Sequence, residues 1–319
     1  MKLLDYLRFN RFVESHFGHP DEVARRMVGR NKQCLSSYVA IRRFFGDASL
    51  NPQSITVTKH LEPFLLQDKL IARFSNEIQG YLRSEGRLFD GPLATHVVDE
   101  DYDADSPRIV IQPCDYALQA GSCFALDLEH LLLEKYGGTL RHYYYQKKQT
   151  TSVNPLPQCL GVCAFLLTHD PQGQSVVAVS RSSAVASYEN SIGPSVAGSI
   201  DFPEEVFTLA DLLIESLVSE TEEELGLKES EITITPLSIA RELYRGERPQ
   251  LFGLIETRMR SNEVLNSIRA KGSSEIADCS AYRLESGSLP DDVVATFNPE
   301  AQMAWYLCEE YLEWRTTQT

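Results

Sequence analysis

One helix end constrains this chain more than any other feature. Ser219-Glu220-Thr221-Glu222-Glu223-Glu224-Leu225-Gly226-Leu227 crowds acids together, and the nearest base is Lys228, past the end. On a helix advancing roughly 100° per residue, Glu220, Glu223 and Glu224 fall within one arc about 100° wide. Carboxylates that close repel one another, and the helix macrodipole disfavours anions at its C-terminus. Upstream, Thr208 is positioned as an N-cap with Asp211 at the third helical position, and Gly226 supplies the stop. Leu213, Ile214, Leu217 and Val218 give the helix an apolar side next to the acidic one. A fold that uses this helix must bury the first side and compensate the second. Hard oxygen ligands so gathered suit Mg²⁺, with Mn²⁺ the other candidate. The bland counterpart is a solvated acidic helix end, which many charge runs are.

Composition sets the setting for that helix. At 319 residues the chain has room for one large or two ordinary domains, and 43% hydrophobic with 24% charged residues is globular. Its apolar runs are too short to span a membrane, and Met1-Lys2-Leu3-Leu4-Asp5 meets charge too early for a secretory signal. Seven cysteines with no framework spacing read as reduced thiols, so a cytoplasmic location is expected. A net charge of −15 argues against nucleic-acid binding. The charge is uneven: residues 201–231 hold eleven acids and one lysine, whereas residues 1–50 hold nine basic and five acidic residues. The oligomeric state is not legible.

The pattern along the chain predicts helix over most of 1–48, a short strand at 55–58 and an amphipathic helix at 63–83. Strands at 93–98 and 108–112 and a helix at 127–136 follow, then a polar boundary at 146–158. The second half alternates: strands at 160–168 and 175–181, the acidic helix at 208–225, strands at 231–244 and 250–257, a helix at 261–271, a strand at 279–284 and a closing helix at 299–314. Three regions result: a helical extension at 1–70, an α+β subdomain at 71–154, and an α/β sandwich with a mixed sheet at 155–319.

Glu220, Glu223, Glu224, Gly226 and Leu227 match in order and spacing the second half of the box G-x5-E-x7-R-E-U-x-E-E-x-G-U, so the chain resembles the Nudix hydrolases. Gly198 resembles the box glycine, with about six extra residues before the helix, and Asp211 stands where the first box glutamate would be. Ser219 replaces the box arginine and Thr221 the bulky apolar residue. Arg87-Leu88-Phe89-Asp90-Gly91, Asn154-Pro155-Leu156, Arg181-Ser182 and the missing arginine are similar to the UDP-glucose diphosphatase branch. The resemblance implies a Nudix-type α/β/α sandwich preceded by an N-terminal α+β subdomain. It also implies a metal-dependent hydrolase splitting a nucleoside diphosphate-linked substrate, with a UDP-sugar giving UMP and sugar 1-phosphate. Glu220, Glu223 and Glu224 are then the catalytic residues, and Glu220, Glu224 and the backbone carbonyl near Gly198 the metal ligands.

A small nucleotide substrate carrying a diphosphate also needs guanidinium groups. Arg181, at the end of a strand, is the first choice, followed by Arg245 and Arg248 in the turn of a hairpin, with Arg241 on its flank. For base stacking the candidates are Tyr188, in the loop before the acidic helix, and Tyr143-Tyr144-Tyr145, read as a strand. Cys159 and Cys163 share a strand face by spacing but lack a second pair for zinc. Ser195 departs from the serine-hydrolase elbow. The rival reading from another class is a nucleotide-binding sensor of the same fold, weak or inactive in hydrolysis because Ser219 stands for arginine.

Overall fold

The computed structural model describes residues 38–88, 90–148, 154–183, 188 and 190–318. Two open sheets with flanking helices make up the described residues. The strands of the larger sheet are β1 (Tyr38–Arg43), β5 (Gly161–Asp170), β6 (Gly173–Arg181), β7 (Ile192–Gly193), β8 (Val196–Ser199), β9 (Ile232–Glu242), β10 (Arg248–Thr257) and β11 (Ile276–Arg283). They run in the order β1-β9-β10-β5-β6-β11, with β7 on β6 and β8 on β5. Among the described residues of this sheet, β10 and β5 pair in parallel and the other pairs are antiparallel. The smaller sheet, β2 (Thr56–Lys59), β3 (Ala94–Asp101) and β4 (Arg108–Cys114), has the order β2-β4-β3. Its helices are α1 (Lys69–Ser84), α2 (Tyr116–Ser122) and α3 (Leu140–Lys148). The larger sheet carries α4 (Leu209–Glu220), α5 (Ser261–Lys271), the single turn α6 (Asp291–Val294) and α7 (Pro299–Thr317).

The apolar run of β5 reads as nearly continuous because both of its faces are buried. Val162, Ala164 and Leu166 join Leu209, Leu213 and Leu217 of α4 and Val264 and Ile268 of α5 in one core. Cys163, Phe165 and Leu167 face the other way, into a core with Ala301, Trp305 and Cys308 of α7. The result is the α/β/α sandwich with a mixed sheet that the sequence implied. A third core joins Ile71, Phe74 and Ile78 of α1 to Leu140 and Tyr144 of α3.

The strand β5 divides, and the division makes the site. Its first half, Gly161–Ala164, pairs with β8, and its second half, from Leu166, pairs with β6. The smaller sheet is stitched to this opening by backbone bonds: Thr95 N–H donates to Ile200 at 2.7 Å, Leu160 N–H to Thr95 at 2.7 Å, and Val97 N–H to Gln158 at 2.9 Å. A cleft therefore lies where the two sheets meet.

Four sequence expectations change. The helix expected over 1–48 lies mostly outside the described residues, and its end, Tyr38–Arg43, is a strand paired with β9; sheet pairing overrides a weak local propensity there. Tyr143-Tyr144-Tyr145 lie on a helix, not a strand. Leu140 and Tyr144, four apart, bury one side of it, and the Tyr143 hydroxyl donates to Asp68 at 2.7 Å. Cys159 and Cys163 do not share a core: Cys159 sits with Ala94 and Cys114, Cys163 on the α7 side. The helix expected at 127–136 shrinks to a 3₁₀ segment at Leu131–Tyr136. Helices α2 and α3 were not legible as such.

Candidate active site

Local chemistry fixes the acidic helix at both ends. Thr208 and Asp211 form a reciprocal capping box: Asp211 N–H donates to Thr208 Oγ1 at 3.2 Å, and Thr208 N–H donates to Asp211 Oδ2 at 3.1 Å. Asp211 is thus occupied at the start of α4, not at the acidic end. Gly226 terminates the helix with φ of 71°, a left-handed conformation that glycine adopts without strain. Ser267 Oγ of α5 donates to the Leu225 carbonyl at 3.0 Å.

Between these ends the helix is not α throughout. Thr221–Leu225 forms a π turn, a local widening often found at functional sites. It separates the three glutamates by environment. Glu224 is buried at 6% exposure, Glu220 is half-buried and Glu223 exposed. Ser219 Oγ donates to Glu223 Oε1 at 3.0 Å, so the residue standing for the box arginine holds one of the acids.

A cleft of about 600 Å³ runs along this helix end. Glu220, Glu223, Gly198, Arg181, Arg245 and Arg248 all line it. Gly198 in β8 lies so close to Glu220 that a Cβ added at 198 would sit inside the Glu220 carboxylate. A side chain at 198 would therefore displace the Glu220 carboxylate from its place against β8. Glu224 lies behind this pair, its carboxylate Oε2 buried without a hydrogen-bond partner.

Electrostatics follow from the crowding. Burial first, then Glu223, Glu275 and Asp201, push the Glu220 carboxyl up to about 7, with Arg181 pulling the other way. Burial also drives Glu224 well above the usual carboxylate range; Arg181 and the Ala197 N–H oppose this, while Glu220 and Glu275 add to it. A cation would relieve this stress, and the unspent Glu224 oxygen is the donor it would meet. Among the described residues no three His, Cys, Asp or Glu side chains converge closely enough to hold a metal alone. Mg²⁺ is commonly bound through one or two carboxylates plus substrate phosphates, so the donor set of Glu220, Glu224 and the backbone at Gly198 fits it.

Arg181 ends β6 over Gly193, where a Cβ would press on its Cδ at 3.2 Å. Its Nη2 lies 3.2 Å from Glu275, and its Nε is buried without a partner. Arg241 is spent elsewhere, donating to Gln158 and the Glu247 carbonyl at 2.9 Å each. Tyr188 is buried rather than cleft-lining. Its hydroxyl donates to Glu242 at 2.8 Å, and its ring lies 4.5 Å from the Arg245 guanidinium, so the stacking surface expected of it is already used.

Several cleft residues escaped the sequence reading. Tyr116 and Phe124, on and just after α2, form an aromatic edge of the cleft, and Glu275 and Asp201 add acid to it. Nothing local to Tyr116 or Phe124 distinguished them from core aromatics. Asp201 and Glu275, single exposed acids between elements, carried equally little signal in the sequence.

No family profile matches the sequence, and no curated protein matches it. Among solved structures, similar chains include an Ap4A hydrolase and proteins described as Nudix. An Ap4A hydrolase of C. elegans is 12% identical, with a TM-score of 0.32 over 48% of this chain and 96% of that one. A mutT/nudix family protein from Listeria innocua is 14% identical, with a TM-score of 0.35 over 50% and 98%. The NUDIX domain of Shewanella oneidensis NrtR, solved with ADP ribose, is 15% identical, with a TM-score of 0.32 over 49% and 88%.

Proposed function

We propose that this protein is a divalent-metal-dependent hydrolase that splits the diphosphate of a nucleoside diphosphate-linked substrate, most specifically a UDP-sugar such as UDP-glucose into UMP and sugar 1-phosphate. The observation that carries the reading is Glu220, half-buried against Gly198 in an arginine-lined cleft, crowded by Glu224, which is buried and does not itself line the cleft. Glu220, Glu224 and the Gly198 carbonyl would hold Mg²⁺, with Mn²⁺ as the alternative. Such an ion supplies Lewis-acid polarisation of phosphoryl oxygens and lowers the pKa of water.

The chain's own groups do the rest. Glu223, exposed at the cleft and steadied by Ser219, is placed to accept a proton from attacking water. Arg181, with a free Nε, neutralises a phosphoryl oxygen and orients the substrate. Arg245 and Arg248 contribute further positive charge at the cleft wall. Tyr116 and Phe124 offer the apolar face that a base or sugar needs. The α+β subdomain thereby closes the site that the α/β/α domain begins. The setting is cytoplasmic, in keeping with six described cysteines that are free and buried. No helix among the described residues is long and apolar enough to cross a membrane.

The test is release of UMP from UDP-glucose by the full chain with and without Mg²⁺, alongside ADP- and GDP-linked substrates. Mg²⁺-dependent product supports the reading. Saturable nucleotide binding without product would favour the sensor, the reading for which Ser219 in place of arginine speaks.

A further inference from the structure

Beneath one wall of the cleft, space that packing ordinarily fills with apolar side chains holds four charges. Arg245 is 2% exposed, Arg248 3%, Glu242 0% and Glu300 4%. Charges so deep persist only when paired and bonded. Glu242 Oε1 accepts from the Tyr188 hydroxyl at 2.8 Å and lies 3.4 Å from Arg245 Nε. Its Oε2 lies 3.9 Å from Arg248 Nη1. Arg248 Nε donates to the Cys159 carbonyl at 3.0 Å, and Glu300 accepts from Gln250 at 2.6 Å.

Arg245 is held from three sides. The Tyr188 ring lies 4.5 Å away, the Phe124 ring 4.8 Å, and Glu242 stands along one edge. Rings against a guanidinium leave its in-plane N–H groups as the free directions. Its Nη2 is buried without a hydrogen-bond partner, and the residue lines the cleft. Tyr188 keeps a φ of 53°, a left-handed conformation that costs an aromatic residue energy. Strain of that kind persists where contacts over-determine a residue, and here both the ring and the hydroxyl of Tyr188 are engaged.

We infer that Glu242 is a positioning residue which, with Tyr188, fixes Arg245 as a planar fork for a phosphoryl group of the substrate. This subsite belongs to the β9–β10 hairpin and is separate from the acidic helix. The planar donors of guanidinium match phosphate oxygens, which a lysine ammonium reproduces only as a point charge. Glu242 touches no ligand; it acts through Arg245. The inference rests on the phosphoanhydride reading for its substrate, but not for its measurement.

The experiment titrates inorganic phosphate into the full chain in EDTA, followed by calorimetry. Wild type binds. Arg245→Lys, Glu242→Gln and Tyr188→Phe each weaken binding about tenfold or more, and Glu242→Asp recovers part of the loss by restoring the carboxylate. Lys228→Ala, which removes an exposed positive charge outside the cleft, binds within about twofold of wild type. In turnover, Tyr188→Phe raises KM about tenfold with kcat held within about twofold. Should Glu242→Gln fail to fold, Tyr188→Phe carries the test, because it removes one hydroxyl and keeps the ring on Arg245. Folded Tyr188→Phe or Glu242→Gln protein that binds phosphate like wild type overturns the inference, as does a wild type that does not bind. Absence of pyrophosphatase activity in wild type would defeat the hydrolase reading and leave this binding measurement standing.

Discussion

Glu224 is buried with one oxygen unsatisfied, so what it does for the fold and what it does for chemistry oppose each other. Replacing it by Gln removes a crowded charge and should spare the fold. On the proposed function, Glu224→Gln loses Mg²⁺-dependent UMP release by about a hundredfold or more, with circular dichroism unchanged; undiminished turnover would refute its assignment. Gly198 makes a different demand. A methyl at 198 displaces the Glu220 carboxylate, so Gly198→Ala should raise the Mg²⁺ concentration for half-maximal activity about tenfold. A Mg²⁺ titration of activity checks it, and an unchanged midpoint would show that Glu220 is not a ligand. At this scale the sequence disclosed the acids and the glycine by spacing. It could not disclose that Tyr188 is spent on Glu242 and Arg245, because that contact spans residues 54 apart.

The acidic helix is seated by its apolar side. Gly253 of β10 faces Leu217 of α4 so closely that a Cβ at 253 would lie 2.6 Å from Leu217 Cδ1. Leu217 is fully buried and has little room to give. Gly253→Ala should therefore cost about 1–3 kcal/mol by overpacking, read from denaturant unfolding, and should weaken Mg²⁺-dependent activity by shifting α4. The double variant Gly253→Ala with Leu217→Ala should recover part of the activity. Without recovery, the helix is not seated by this contact. Capping at Thr208 and the stop at Gly226 were legible because they are local side chain–backbone chemistry. The π turn between them was not: an evenly wound α-helix is what spacing alone predicts, and the widening arises where the helix end meets α5 and β8.

For the whole molecule, the crowded carboxylates link stability to pH. The Glu220 pKa in the fold is about 7, above its ordinary 4.5. The stability this group contributes is therefore present below pH 4.5 and lost as pH rises through 7; Glu224, raised in the same direction, adds to the trend. In EDTA the melting temperature should fall between pH 5 and pH 8, by about a few degrees, and Mg²⁺ should restore more of it at pH 8 than at pH 5. Thermal melts across pH, with Glu220→Gln as the variant that flattens the slope, provide the measurement. A slope identical in that variant would place its origin elsewhere.

Periodicity and punctuation in the sequence determined the main alternation of strands and helices from residue 160 onward, apart from the short strands β7 and β8, together with the capped acidic helix and the uneven acidic charge. These are local or compositional properties, written in residues close together in the chain. Tertiary structure alone decided that Tyr38–Arg43 joins the large sheet, that the aromatic edge of the cleft comes from Tyr116 and Phe124 rather than Tyr143–Tyr145, and that two arginines of a hairpin lie buried around Glu242. Each depends on which distant segments pack together, and pairing and burial energies between them outweigh the weak preferences any one segment carries.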